Sequence, residues 1–397
     1  MAITIIQEPT GYISAHDALW HVVESTNRNI AGFQYIFDIY KDDVLLTRVK
    51  NAPYSGLKYG ILNVGNIVRS TINQERFRGV YIHHEYNATF NYFTISAKTE
   101  VYFTEYNVRF GESTGTTIFP DIASGTYRAY NNYKTSRWSR QNSDISGNVF
   151  LTNRPRPFNY YKGHPIVFSV YPLLNQGEDN AIQLFYVNPP DNLLNGEILS
   201  YGNLNTFGFV PTGTNSYIEM YENVDFDEIL IERIYLKQKC SKYKCHTIVF
   251  MNAYGGYDSA TFVHGKLLMD NDKKKFEQSK WQINPYLDPF ITDKTTWFQD
   301  EAGAFQSIVY NEGNKVYANT YKEKMELTSD LLSTEEYLWL GELINSTMVH
   351  YYDVDKREYY PVTITNNNYE YKNSLTNKSE TLTITIEFGT TQNAQYR

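Results

Sequence analysis

The sequence predicts a mainly β protein, made of tandem Ig- or fibronectin-like β-sandwich domains followed by a C-terminal β domain that carries one amphipathic helix. Three observations predict this fold class. Tyrosine is far above ordinary usage, with 36 residues in 397, and aromatic side chains favour strands. Short alternating runs bounded by Gly, Pro or Asn recur along the chain. A single segment has the spacing and the capping residues of a helix.

The first sandwich is predicted over residues 1–145. It begins with the strand-like runs ITIIQEP and ALWHVVES. In the next run, FQYIFDIYKDDVLLTRVK, the residues Lys41, Asp42 and Asp43 separate two apolar segments and predict a hairpin turn. A long alternating strand follows in TEVYFTEYNVRF. The polar stretch 127–147 is rich in turn residues and indicates a linker or a long surface loop at the end of this domain.

The second sandwich is predicted over residues 146–228. Its strand-like runs are NVFLTNRPRPF, HPIVFSVYPLL, AIQLFYV and NSYIEMYENV, each bounded by Pro, Gly or Asn. The segment YIEMYENVD resembles YIFDIYKDD of the first domain. Two short tyrosine-rich strands resemble each other by chance in this composition, so the similarity gives little support for a repeat.

The third domain is predicted over residues 229–397, with a helix at 334–345. Ser333 and Glu336 have the spacing of a capping box, which marks the start of that helix. Its apolar stripe and structural candidates are Tyr337, Leu340, Leu343 and Ile344. The alternating run TLTITIEF then supplies a strand whose apolar side can receive the helix.

A glycine pair is the most distinctive local feature of this third domain. Gly255 and Gly256 lie between Tyr254 and Tyr257, after the strand-like run TIVFMN and before SATFVHG. Glycine is favoured where φ is positive or where the backbone closely approaches a neighbour, so the pair predicts a tight hairpin. These four residues are candidates for a structural or assembly role, packed against the core or a neighbouring subunit.

Charge and cysteine usage exclude several classes of partner. The 36 Lys and Arg against 44 Asp and Glu give a net charge of −8, which predicts no nucleic-acid partner. Cys240 and Cys245, read as lying on opposite faces of one strand, predict neither a disulfide nor a zinc site, and fit folding in a reducing cytoplasm. We find no signal peptide and no apolar run long enough to span a bilayer, so membrane insertion is not expected.

No motif predicts catalysis, a metal or a cofactor. The stretch GESTG matches the nucleophile elbow of hydrolases around Ser113, but the elbow needs a helix directly afterwards, and TTIFPDIASG is not helical. His83, His84 and Glu85 diverge along a strand and lack the spacing of a metal site. The carboxylate pair of a glycoside hydrolase leaves no spacing signature, so that class stays open.

Several longer stretches resemble a structural protein family of tailed phages that infect Bacteroidota. The C-terminal stretches are CSKYKCHTIVFMNAYGGYDSATF, LTSDLLSTEEYLWLGELINST, YYPVTITNNNYEYK and LTITIEF, and the N-terminal ones are FQYIFDIY, RVKNAP, YNVRFGE and FLTNRPR. The family often has Trp where Leu331 stands. The resemblance implies a non-enzymatic virion protein of the tail end, similar in role to distal tail or baseplate ring proteins.

The leading hypothesis is therefore a ring-forming tail-tip or baseplate component that joins the tail tube to receptor-binding parts. Its expected partners are other copies of itself, the tube, the hub and a receptor-binding protein, and its location is the virion tail, assembled in the cytoplasm of the bacterial host. The position in the particle and the copy number stay open. The alternative is a glycan-binding or receptor-binding protein that displays aromatic platforms on its β-sandwiches.

Overall fold

A computed structural model confirms the predicted mainly β fold class. It describes residues 3–10, 13–54, 58–72, 84–87, 92–95, 103–115, 117–118, 122–132, 149–171, 181–187, 195–199, 205–211, 216–224, 227–277, 314–356, 358–366 and 379–393. Within these ranges the chain forms 28 strands and two helices. None of the helices in the described ranges is long and apolar enough to cross a membrane.

The N-terminal strands form the first sandwich. The elements of this part of the chain are β1 (Ile3–Gln7), β2 (Ile13–Ser14), β3 (Trp20–Ser25), β4 (Phe33–Lys41), β5 (Val44–Asn51), β6 (Tyr59–Asn63), α1 (Gly65–Thr71), β7 (His84–Asn87), β8 (Tyr92–Ile95), β9 (Phe103–Thr114), β10 (Thr117–Ile118) and β11 (Ile122–Tyr130). One sheet has the order β1-β3-β6, and the other has the order β2-β11-β9-β4-β5, with β10 paired to β9.

Alternation along these strands fills one core between the two sheets. Tyr35, Phe37 and Ile39 of β4 point inward and are fully buried with residues of β1, β3, β9 and β11. The predicted hairpin between β4 and β5 is confirmed. Its turn residues Asp42 and Asp43 have φ of 49° and 60°, the conformation of a two-residue turn whose twist matches its strands.

The next strands form the second sandwich. They are β12 (Val149–Phe150), β13 (Phe158–Tyr161), β14 (Ile166–Tyr171), β15 (Ala181–Val187), β16 (Asn195–Leu199), β17 (Asn205–Phe209), β18 (Tyr217–Val224) and β19 (Asp227–Lys239). One sheet has the order β12-β14-β17-β8-β7 and the other has the order β13-β19-β18-β15-β16. Phe168 and Phe207 of the first sheet pack against Met220 and Ile234 of the second in one core.

The two sandwiches repeat one topology. In chain order, β1 to β6 correspond to β12 to β17, and β9 and β11 correspond to β18 and β19. Both large sheets begin with a parallel pair, β2 with β11 and β13 with β19, and continue with antiparallel pairs. The similar segments YIFDIYKDD and YIEMYENVD lie in β4 and β18, which are not equivalent strands. The architecture is thus repeated, although the sequence similarity marks the wrong strands.

A cross-strand cluster recurs at the equivalent place in both sandwiches. In the first, Glu105 lies opposite Arg128, and Phe103 lies opposite Tyr130. In the second, the corresponding pairs are Glu219 with Arg233 and Tyr217 with Tyr235. Each arginine bonds its glutamate and lies over the aromatic ring two residues before that glutamate. The same side-chain solution on equivalent strands supports a true structural repeat.

One hairpin links the two sandwiches. The strands β7 and β8 lie between β6 and β9 in the chain, yet β8 pairs with β17 of the second sandwich at Tyr92 to Ile95. The predicted limit near residue 145 therefore does not separate the hydrogen-bonded sheets completely. The predicted limit between residues 228 and 229 falls inside β19, which pairs with β18 and β13 along its length.

The C-terminal unit is a seven-stranded sheet covered by a helix. Its elements are β20 (His246–Met251), β21 (Tyr257–Phe262), β22 (His264–Glu277), β23 (Asn314–Thr328), β24 (Leu332–Ser333), α2 (Thr334–Asn345), β25 (Val349–Asp353), β26 (Glu358–Ile364), β27 (Ser379–Glu380) and β28 (Thr383–Asn393). The sheet order is β21-β20-β25-β26-β28-β23-β22, and β24 pairs with β27.

The predicted helix is confirmed, with its capping box. The Ser333 hydroxyl accepts from the Glu336 amide, and the Glu336 carboxylate accepts from the Ser333 amide. The four predicted stripe residues of the helix share one hydrophobic core with Ile384 and Ile386, which lie in β28 of the sheet. The helix therefore packs on the sheet through the apolar residues that were predicted for each.

The expectation for the cysteines is corrected in part. Cys240 follows the end of β19 and Cys245 precedes β20, so they flank a connection and do not share a strand. Both thiols are free, with Cys240 exposed and Cys245 buried. Burial raises the pKa of the Cys245 thiol.

Candidate functional site: a buried polar junction at the glycine turn

The glycine pair closes the hairpin between β20 and β21, as predicted. Gly255 takes a φ of +81°, a conformation that glycine adopts without strain. The Asn252 side-chain oxygen accepts from the amides of Tyr254 at 3.1 Å and Gly256 at 3.0 Å. The Asn252 amide in turn donates to the Gly256 carbonyl at 2.8 Å. The asparagine side chain therefore fixes the whole turn.

Gly256 is required for a different reason, which is close approach to the second sandwich. A Cβ at this position would lie 2.7 Å from the Ser169 Cβ and 3.1 Å from the Leu151 Cβ. The following amide, of Tyr257, donates to the Ser169 hydroxyl at 2.7 Å. The glycine thus lets the C-terminal unit bond directly to the second sandwich.

The two tyrosines beside the glycines lie against the protein's own interior. Tyr257 is 1% exposed and its hydroxyl donates to the Met348 sulfur at 3.5 Å. Tyr254 is half-buried. Burial raises the pKa of both phenols, and for Tyr254 the nearby Glu342 carboxylate adds to the effect. Of the two predicted arrangements for these tyrosines, packing against the protein's own core is the one found here. Packing against a neighbouring subunit stays a prediction.

Asp258, two residues after the glycines, is the first carboxylate of the junction and is fully buried. Its Oδ2 accepts from the Thr152 hydroxyl at 2.8 Å and from the Trp339 indole at 2.9 Å. The Arg154 guanidinium lies 4.8 Å from the Phe158 ring centre and 5.2 Å from that of Trp339. Burial raises the pKa of Asp258 to about 6 and lowers that of Arg154 to about 10.

Glu342 is the second carboxylate, contributed by helix α2 and 3% exposed. Its Oε2 accepts from the Ala253 amide at 2.8 Å, and its Oε1 accepts from the Asn153 side chain at 2.7 Å. Burial, together with the charge of the nearby Asp258 carboxylate, raises the pKa of Glu342 to about 7. The helix therefore meets the glycine turn and the second sandwich through one carboxylate.

The eight predicted residues divide into two groups in the structure. Those of the turn lie at the junction, and the four helix residues lie in the core of the C-terminal unit. Trp339 and Glu342, which connect the two groups, were not predicted. An acidic residue on a helix is ordinarily exposed, so no signal in the sequence marked Glu342 as buried.

The contacts of the junction join separate segments of the chain. Its carboxylates accept bonds from an amide, an asparagine, a threonine and a tryptophan, which hold three chain segments together. Among the described residues, no group of three or more His, Cys, Asp and Glu side chains is placed to hold a metal ion. The sequence predicted that His83, His84 and Glu85 do not form a metal site. His83 lies outside the described residues, and the side chains of His84 and Glu85 are not described.

Ser113, the residue that matched the hydrolase elbow, is buried within β9. Its hydroxyl donates to the Gly115 carbonyl at 3.2 Å. The chain then turns back, and β10 pairs with Ser113 and Thr114. A strand, a turn and a second strand therefore stand where the elbow would need a strand followed by a helix.

The raised pKa of Glu342 predicts how the stability of the protein depends on pH. The folded pKa lies above that of an unfolded glutamate, so protonation of Glu342 stabilises the folded state. This contribution to stability is fully present below about pH 4.5 and is lost as the pH rises through about 7. We expect the urea midpoint to fall between pH 5.5 and pH 8, because the free energy of unfolding decreases by about 2 kcal/mol over that range.

Glu342→Gln should reduce this pH dependence to the smaller part that the raised pKa of Asp258 contributes, although it also removes one carboxylate acceptor of the junction at every pH. The slope against pH is therefore the quantity to compare. Glu335→Gln, at an exposed position of the same helix, serves as the matched control and should keep the parental slope. An unchanged slope in Glu342→Gln would contradict the assignment to this carboxyl group.

Comparison with known proteins places the chain in no family. No protein-family model matches the sequence, and no curated protein does. Among solved structures, the chain is similar to the crystal structure of the S-layer protein SbsC domains 4 and 5, at 7% identity, with 60% of this chain and 97% of that chain covered and a TM-score of 0.16. A likeness at this level carries no argument about fold or function.

Proposed function

We propose that this chain is a non-enzymatic virion structural protein that assembles with other copies of itself into a closed ring at the tail end of a phage. In that position it joins the tail tube to the receptor-binding parts. The proposal starts from the sequence resemblance. The observation that supports it best is a pair of outer strands, in different units, that carry exposed aliphatic side chains.

The first of these strands is β5, at the edge of the first sandwich. Val44, Leu45 and Leu46 are 64%, 44% and 39% exposed. A bulge opposite Ile39 and Tyr40 leaves Leu46 without a cross-strand partner. Single exposed apolar residues are common on protein surfaces, but three in succession at a strand edge are typical of a contact surface.

The second is β22, at the edge of the C-terminal sheet. Leu267 and Met269 are 55% and 59% exposed. Leu267 lies opposite Met325, which packs on the core beneath helix α2. The apolar side of the sheet therefore continues past the helix to the edge of the described sheet.

Two different surfaces on one chain favour a head-to-tail contact between copies. Repeated contacts of this kind form a ring when the rotation closes and a filament when it does not. A closed ring of this chain would present the same faces in turn to the tube, the hub and the receptor-binding protein. The buried junction suits this role, because it holds the second sandwich and the C-terminal unit in one orientation.

The test combines particle composition with solution mass. We expect the chain in purified phage particles, and we expect light scattering of the purified protein to give a multiple of 46.2 kDa with rings in negative stain. Leu45→Lys and Leu267→Lys should each shift the mass toward the monomer. Ser113→Ala, at a position away from both edges, should leave assembly intact.

Two results would contradict the proposal. The first is a monomer at every concentration together with absence from particles. The second is labelling by a fluorophosphonate probe that Ser113→Ala abolishes, because it would assign hydrolase chemistry to the chain.

A further inference from the structure

The outer side of the second sandwich's large sheet carries a cluster of aromatic and charged residues. Alternation along β18 and β19 sends Ile218, Met220 and Ile234 into the core and the residues between them to the opposite side. We call this cluster the tyrosine face, and it consists of Phe185, Tyr217, Glu219, Tyr221, Arg233, Tyr235 and Lys237.

All members of the tyrosine face other than Lys237 are joined by the contacts that follow. The rings of Tyr217 and Tyr235 lie 6.0 Å apart at 60°, and those of Phe185 and Tyr221 lie 5.3 Å apart at 87°. The Glu219 carboxylate lies between the two aromatic pairs, bonded to Arg233 and to the Tyr221 hydroxyl. Hydrogen bonding to Tyr235 and Glu219 raises the pKa of Arg233. The rings are thus positioned before any ligand arrives.

The equivalent cluster on the first sandwich gives an internal comparison. There the rings of Phe103 and Tyr130 lie 5.7 Å apart at 53°, nearly the same geometry. Tyr130 is 7% exposed, so its ring is covered. Its counterpart Tyr235 is 57% exposed. The tyrosine ring at this position is therefore covered in the first sandwich and open in the second.

Charge distinguishes the tyrosine face from the rest of the chain. Arg233 and Lys237, both exposed, stand against the single carboxylate of Glu219, whose side chain is 4% exposed. The face therefore carries an excess of one positive charge in a chain whose net charge is −8. A ligand that fits would offer apolar ring faces to the tyrosines, hydroxyl groups to their phenols, and a carboxylate to the cations.

We infer that the tyrosine face binds an acidic carbohydrate, that is, a polysaccharide with uronate units. The C–H face of the sugar stacks on the exposed ring of Tyr235, and a carboxylate pairs with Lys237 and with Arg233, which already covers the ring of Tyr217. This binding goes beyond the proposed ring role and does not depend on it.

The test uses two probes that differ only in the carboxyl group, β-1,4-linked hexamannuronate and β-1,4-mannohexaose. Titration calorimetry on the full chain should detect the uronate hexamer and give at least about tenfold weaker binding for the neutral one. Tyr235→Ala should weaken uronate binding by about tenfold. Lys237→Gln should weaken it roughly threefold. Tyr243→Ala, at a tyrosine that is 63% exposed outside the face, should change nothing.

Three results would overturn the inference: no heat with either hexamer, equal affinity for the two hexamers, or equal losses in Tyr235→Ala and Tyr243→Ala. Thermal unfolding of each variant checks that the fold is retained. We expect parental melting temperatures, because the substituted side chains are exposed. Incorporation into particles is scored separately. Its failure would bear on the ring role, whereas failure of the titration would bear on the tyrosine face alone.

Discussion

Leu340→Asp is expected to unfold the C-terminal unit and to remove the protein from assembled particles. Leu340 is 2% exposed, in the core between helix α2 and the sheet. Burying a leucine contributes about 1.5–3 kcal/mol, and an unpaired buried carboxylate costs several kcal/mol more. This loss is comparable with the whole stability of an ordinary domain, about 5–15 kcal/mol.

The helix supplies a matched control. Leu338→Asp places the same carboxylate two residues away, at a side chain that is 49% exposed. It should leave the urea midpoint and the hydrogen-exchange protection of residues 334–345 almost unchanged. If Leu340→Asp were as stable as the parent and still entered particles, the packing of helix on sheet and the assembly role of this unit would both be wrong.

Gly256→Val is the second substitution with a large expected effect, because it acts on the junction between two units. The added Cβ would lie 2.7 Å from that of Ser169, so the turn must move away from β14. That movement breaks the bond from the Tyr257 amide to the Ser169 hydroxyl. We expect a loss of roughly 1–3 kcal/mol from overpacking, with faster hydrogen exchange in β14 and β21 together.

Gly125→Val is the corresponding control, because a Cβ at Gly125 would meet no atom within 4 Å. It should leave exchange in β14 and β21 at the parental rate. Parental melting and parental exchange in Gly256→Val would mean that the close approach to Ser169 does not constrain the turn.

Features with a local cause were predictable from the sequence. The turn at Asp42 and Asp43, the capping box at Ser333 and Glu336, and the glycine hairpin each depend on a few neighbouring residues. Alternation in the last strand likewise identified Ile384 and Ile386 as buried. In each case backbone geometry within a few residues dictates the side chain, so the pattern is visible without knowledge of the fold.

Features that depend on distant segments were not predictable. The repeat of the sandwich topology is carried by strand order, which leaves little trace in the sequence once side chains diverge. The pairing of β8 with β17 joins residues more than a hundred positions apart. The burial of Glu342 is set by Asn153 and the turn at Ala253. A helical pattern read alone places such a glutamate in solvent.

The hairpin of β7 and β8 has a consequence for how the chain unfolds. Its backbone bonds to β17 belong to the second sandwich, while the chain on either side of it runs into β6 and β9 of the first. When the first sandwich loses its structure, the hairpin loses its anchors, and β17 is left as a bare edge to which another chain can add. Repeats joined only by a linker can melt one at a time, but these two are coupled. We therefore expect a single cooperative transition for the pair, and a truncated second sandwich prone to aggregation.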